Sequence, residues 1–137
     1  MSILFLRNHA LVEGLKGASG ETGRVIVGPW EGAILERADG YMRLPLGKYS
    51  GRMLHMRDRP IRAIHFEKAT EEALRFMGPK TRESFDAGRI YVHGVARVDA
   101  AEQLAGCVGV PDVHSLWAAL GGWREFAQFD IEIKEGV

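Results

Sequence analysis

Arg89-Ile90-Tyr91-Val92-His93-Gly94, followed across an irregular stretch by Gly106-Cys107-Val108, is the part of the chain whose reading decides the fold and the candidate chemistry. Residues 89–93 are rich in β-formers and predict a strand that ends at His93-Gly94. Residues 96–106 read as a loop, and 107–110 as a short apolar segment. The single cysteine of the chain thus follows a glycine and lies 14 positions beyond a strand-ending histidine. A thiol needs a nearby base or cation to become a thiolate near neutral pH. His93 supplies one if the loop folds back, Gly106 allows a close backbone approach, and main-chain N–H groups around Cys107 and Gly94 can hold an oxyanion. The alternative reading of the same residues is plainer. A lone cysteine flanked by Ala105 and Val108 is a small buried hydrophobe, and a lone strand histidine is a satisfied polar residue.

Working outward, short apolar runs alternate with turn signals, and 17 glycines are spread throughout. Residues 3–7, 24–27, 32–37, 61–67 and 129–133 read as strands, and 48–57 as a segment mixing Met53 and Met56 with basic residues. Gly28-Pro29, Asp39-Gly40 and Pro45-Leu46-Gly47 are turn signals. The glycines and hydroxyls of 14–23 predict a loop. Thr70 caps a helix whose first turn carries Glu71 and Glu72 and which Gly78-Pro79 stops. Asp112 caps a second, with Val113, Leu116, Trp117 and Leu120 on one face. The predicted class is α+β, predominantly β, with one or two short helices. No internal repeat or linker interrupts residues 1–137, so one domain is expected.

Composition narrows the function. The 137 residues are one domain's worth and bury enough surface to fold without staples. Lys+Arg and Asp+Glu both number 18, so 18 − 18 leaves no net charge. That balance argues against a phosphate-tracking nucleic-acid binder. No apolar run reaches the roughly 18 residues of a membrane span. One cysteine excludes an intramolecular disulfide and a multi-thiolate zinc site. The N-terminus lacks a basic region before its apolar stretch, and Arg7, His9 and Glu13 interrupt the run, so no secretory signal is expected. The chain is therefore expected to be made in the cytoplasm, and to act in the cell wall or periplasm, or within a virion, by another route.

Three motifs carry a family resemblance. Pro45-Leu46-Gly47-Lys48-Tyr49 resembles a Pro-x-Gly-x-aromatic turn, Val92-His93-Gly94 a strand-ending His-Gly, and Gly106-Cys107-Val108 a nucleophile motif. In order and spacing they are similar to the catalytic domain of L,D-transpeptidases, the cysteine enzymes that cross-link peptidoglycan. They also resemble a small phage and bacterial family with a Pro-x-Gly-x-Tyr turn, an Ile-His-x-Gly-type strand and a late Gly-Cys. The resemblance covers about residues 23–134. It implies a mixed β-sandwich or barrel with short helices, Cys107 as nucleophile and His93 as base. Arg89, Tyr91 and Asp99, with Arg97 nearby, are the candidate groups for a peptidoglycan peptide, and no cofactor is implied. Where L,D-transpeptidases place Ser-His or Ser-Arg before Gly-Cys and an Arg after it, this chain has Leu104, Ala105 and Gly109.

Two readings follow. One is cysteine-dependent acyl transfer or hydrolysis on peptidoglycan peptides. The other is a non-enzymatic structural or binding module on the same fold, whose partners are other proteins of a phage particle or injection apparatus. Weaker candidates are a His/Glu metal set of His65 and Glu67 with His55 or His93, and an approach of His114 to the thiol. Metal is not the expected outcome, because a polar strand face explains His65 and Glu67. Trp30, Trp117 and Trp123 read as core or lip residues.

Overall fold

The computed structural model describes residues 2–13, 19–37, 43–56, 60–95 and 106–136. Within them the chain runs β1 (Ser2–Glu13), β2 (Ser19–Val27), β3 (Trp30–Arg37), β4 (Gly47–His55), β5 (Arg62–Ala69), α1 (Glu71–Phe76), α2 (Pro79–Asp86), β6 (Tyr91–Gly94), β7 (Val108–Val110), α3 (Val113–Ala119) and β8 (Gln128–Glu135). The eight strands close into a barrel in the order β1-β2-β3-β7-β6-β5-β4-β8. Neighbours are antiparallel except at two seams: β1 runs parallel to β8, with Ser2 opposite Asp130 and Arg7 opposite Glu135, and β6 runs parallel to β7. The predominantly β, α+β class expected from the sequence is what the chain adopts, and the form is a closed barrel.

Alternation explains the interior. Every second residue of each strand points inward, so Ile3 and Phe5, Val25 and Val27, Ile64 and Phe66, Val92, Val108 and Val110, and Phe129, Ile131 and Ile133 meet in one core. The ends are plugged by helices. β5 and β7 run in opposite directions, so the connections that leave them lie at opposite ends. After β5, α1 and α2 bring Ala73, Met77 and Phe85 onto the core; after β7, α3 brings Leu116, Trp117 and Leu120. Thr70 caps α1 as expected, its hydroxyl accepting from Ala73 N at 3.3 Å. Asp112 caps α3 through Ser115 N.

Two expectations need correction. There are three short helices among the described residues, not one or two. α1 ends before Gly78-Pro79 as expected, and the third helix, α2, starts at Pro79 itself: at the first helical position its missing N–H costs nothing and its fixed φ is already helical. Residues 19–23 are not loop but the first half of β2, paired with Gly20 opposite Arg37 and Gly23 opposite Ile34. A Cβ on Gly23 would lie 2.3 Å from the Leu6 carbonyl oxygen, so glycine marks a close strand approach there rather than a turn. The Asp39-Gly40 turn lies outside the described residues.

Within the barrel wall, at the end carrying α1 and α2, lies a buried ion pair. Arg7 Nε and Nη2 donate to the two carboxylate oxygens of Glu36, both at 2.8 Å, and Nη2 also donates to the Leu44 carbonyl. Burial alone would lower the Arg7 guanidinium, but the hydrogen bonds and charge of Glu36 outweigh it and raise it. Tyr49 packs edge-on against Phe66 and donates its hydroxyl to Pro45 O at 2.6 Å. Burial is the chief reason its phenol is raised well above its ordinary range. The Pro45–Tyr49 turn is thereby tied to the same end as Arg7. Removing one member of a buried pair strands the other charge, whereas replacing both with apolar groups does not. Glu36→Leu is expected to cost about 3–5 kcal/mol in urea unfolding, and Arg7→Met with Glu36→Leu to recover most of that loss. A double variant as unstable as the sum of the singles would show that the two charges are not coupled.

Candidate functional site

The β6–β7 seam places the sequence-selected residues. Val92 pairs with Val108 and His93 with Gly109. Val92 and Val108 point into the core, so Tyr91, His93 and Cys107 point away from it, onto the outer face of the sheet. Cys107 lies beside Tyr91: its Sγ accepts from Tyr91 N at 3.4 Å and the thiol donates to Arg89 O at 3.7 Å. The cross-strand neighbour of His93 is Gly109, two residues past the cysteine, which puts the imidazole and thiol in diagonal positions about 7–8 Å apart at Cα. His93 Nδ1 lies 2.9 Å from its neighbour's carbonyl, Gly94 O. A carbonyl only accepts, so Nδ1 carries the hydrogen in this contact. Among the described residues no hydrogen bond joins Cys107 to His93.

The thiol is covered. Cys107 is 7% exposed and packs with Leu35, Ala63, Tyr91 and Val95, with Met56 against them, as a second apolar cluster outside the barrel wall. Burial pushes the thiol up, and the hydrogen bond from the Tyr91 main chain offsets this only in part. Gly106 is at φ +91° and bridges to Arg43, a backbone conformation that suits glycine. Gly94 is needed for packing: a Cβ there would lie 2.9 Å from Val113 Cγ1 at the start of α3. Arg89 contributes its carbonyl to the thiol while its side chain is exposed. Asp99 and Arg97 lie outside the described residues. The sheet thus gathers Cys107, Tyr91 and the Arg89 carbonyl, and leaves His93 one step along.

The other candidates disperse. His65 stacks at 5.3 Å on Tyr91, Glu67 pairs with Arg52 at 2.7 Å, and His55 faces Glu125 at 3.8 Å. Among the described residues no group of three or more His, Cys, Asp or Glu is placed to hold a metal. His114 is exposed on α3. No helix among the described residues is long and apolar enough to cross a membrane. A surface cleft of about 350 Å3, lined by Ser50, Arg52, Glu67, Lys68, Gln128 and Asp130, lies over β4, β5 and β8, on the side of the ring away from Cys107.

A further cluster brings together residues that are far apart in sequence. Between α3 and β8 the chain forms a lip in which Trp123 meets Trp117 at 5.2 Å and His55 at 5.7 Å, with the Arg62 guanidinium 5.6 Å from its ring centre. Phe126, three residues on, is 59% exposed and has φ +70°. Periodicity places Trp117 on the apolar face of α3, but no sequence pattern joins it to Trp123, Phe126, His55 and Arg62, which come from a turn and two strand ends. The chain matches no family of known proteins, no curated protein and no solved structure.

The raised thiol has a consequence for stability. In the unfolded chain Cys107 ionises from about pH 8.5, whereas in the fold it keeps its proton to higher pH. Its contribution to stability is therefore full below about pH 8.5 and is lost as the pH rises through the folded value. In urea unfolding from pH 7 to 10, the stability of wild type relative to Cys107→Ala is expected to fall above about pH 8.5. Parallel profiles would mean the thiol titrates alike in both states.

Proposed function

We propose that this barrel is a non-enzymatic binding and structural module. Its setting in a phage particle or another injection apparatus is what the family resemblance suggests. One observation supports the reading above the rest: Cys107 is packed under apolar side chains and hydrogen-bonded to the main chain at Tyr91 and Arg89 rather than to an imidazole. A nucleophilic thiol needs the opposite surroundings, partial exposure and a base or cation that favours thiolate. The departures from the transpeptidase motif at Leu104, Ala105 and Gly109 point the same way.

The acyl-transfer reading keeps one observation in its favour. His93 and Cys107 share the outer face of adjacent strands. Labelling of the native protein with iodoacetamide separates the readings. The module predicts slow alkylation with an apparent midpoint above the ordinary thiol value of about 8.5, and fast alkylation only after unfolding. Rapid native labelling with a midpoint below about 8, together with a mass increment on Cys107 from muropeptides that His93→Ala abolishes, would establish the enzyme instead.

A further inference from the structure

Phe126 combines two unfavourable features. It is the one non-glycine residue at positive φ among the described residues, and its ring is mostly in water. Ala127 N donates to Arg124 O at 3.0 Å, so Phe126 holds the third position of a tight turn, where positive φ selects glycine. The chain uses glycine for this purpose nearby, at Gly121 (φ +87°) and Gly122 (φ +92°). The turn is held in place because Phe126 N donates to Met53 O at 2.8 Å and Met53 N to Ala127 O at 2.9 Å. A strained backbone that presents a large apolar group to solvent does nothing for the core, and such strain gathers where a surface is used.

The surroundings specify the partner's chemistry. Trp123, three residues before Phe126, packs against Trp117, His55 and the Arg62 guanidinium, which holds its ring in place. Arg62 and Arg124 are both exposed, and among the described residues neither has a carboxylate partner. Arg124 gives Nη2 to Leu120 O at 3.2 Å, which orients its guanidinium and leaves other donors unused. The one carboxylate of the turn, Glu125, faces His55. Among the described residues the lip therefore carries more cationic than anionic side chains around an exposed aromatic ring.

We propose that this lip is a docking surface for an acidic segment of another protein, with Phe126 as the apolar anchor and Arg62 and Arg124 as partners for its carboxylates. The proposal rests on the binding-module reading only in giving the chain a protein partner. Thiol labelling tests that reading without touching the lip, so the two can fail separately.

The test is selection of displayed random peptides on the intact chain, followed by fluorescence polarisation with the enriched sequences. Enriched peptides are expected to carry Asp or Glu beside a large apolar residue. Phe126→Gly, Arg62→Glu and Arg124→Glu are each expected to weaken them about tenfold or more, while Cys107→Ala leaves binding unchanged. Phe126→Gly relieves the strained φ, so its thermal midpoint should stay level or rise. Were it to unfold the protein, the two arginine variants, both of exposed side chains, would decide. No enrichment, enrichment without acidic residues, or binding indifferent to the arginine variants would overturn the proposal. Self-association in sedimentation that Phe126→Gly abolishes would assign the lip to a second copy, and oligo-dT binding lost in the same variant would assign it to single-stranded nucleic acid. Either result would also overturn it.

Discussion

The parallel pairing of β1 with β8 is the constraint on which the rest of this structure depends. It joins the first and last strands of the chain over Ser2–Arg7 and Asp130–Glu135, turning a row of strands into a closed ring. Closure removes the exposed sheet edges that otherwise invite aggregation. It also encloses a space that side chains must fill, because an eight-stranded barrel is just wide enough for them. The ring is completed only when the ends of the chain meet, so the helices that plug it gain their apolar contacts from a contour no local segment possesses.

The same closure explains the buried charges. Inward-facing positions on β1 run Ile3, Phe5, Arg7, and those on β3 include Ile34 and Glu36. At the end covered by α1 and α2, alternation delivers one cation and one anion to the inner face, where each satisfies the other and Arg7 also reaches the Leu44 carbonyl. Arg43 and Glu21 form a neighbouring pair at 2.6 Å. At the opposite end the barrel is sealed by apolar residues of α3 instead, and the chain leaving that helix builds the aromatic and cationic lip. The two ends thus differ chemically. One holds buried, paired charges; the other exposes Arg62 and Arg124, which have no carboxylate partner among the described residues.

Cys107 shows how a motif and its environment can disagree. A glycine before a cysteine, downstream of a strand-ending histidine, is compatible with nucleophilic chemistry at the level of residue type. Register decides what surrounds it. A parallel pair that sets Val92 against Val108 puts Tyr91, not His93, beside the thiol. Leu35 and Ala63, both fully buried and from strands remote in sequence, then complete an apolar cover. None of these partners could be chosen from spacing, since a shift of two residues along the seam would bring the imidazole alongside the sulfur and leave the hydrophobic pattern intact.

Local chemistry made much of the architecture legible. The predominantly β class, the Thr70 and Asp112 caps and most strand positions followed from propensity, turn residues and alternation, which act within a few residues. The departures have local causes too: Pro79 ends one helix and also serves as the first residue of the next, and the glycines of 19–23, which suggest a loop, include one that admits a close strand. What depended on the folded chain was which faces meet. Barrel closure, the Arg7–Glu36 pair, the company of Cys107 and the lip around Trp123 all join residues far apart in sequence. The physical reason is that alternation tells a side chain which side of a strand to take, while strand order and register, set by the packing of the whole ring, choose its neighbours.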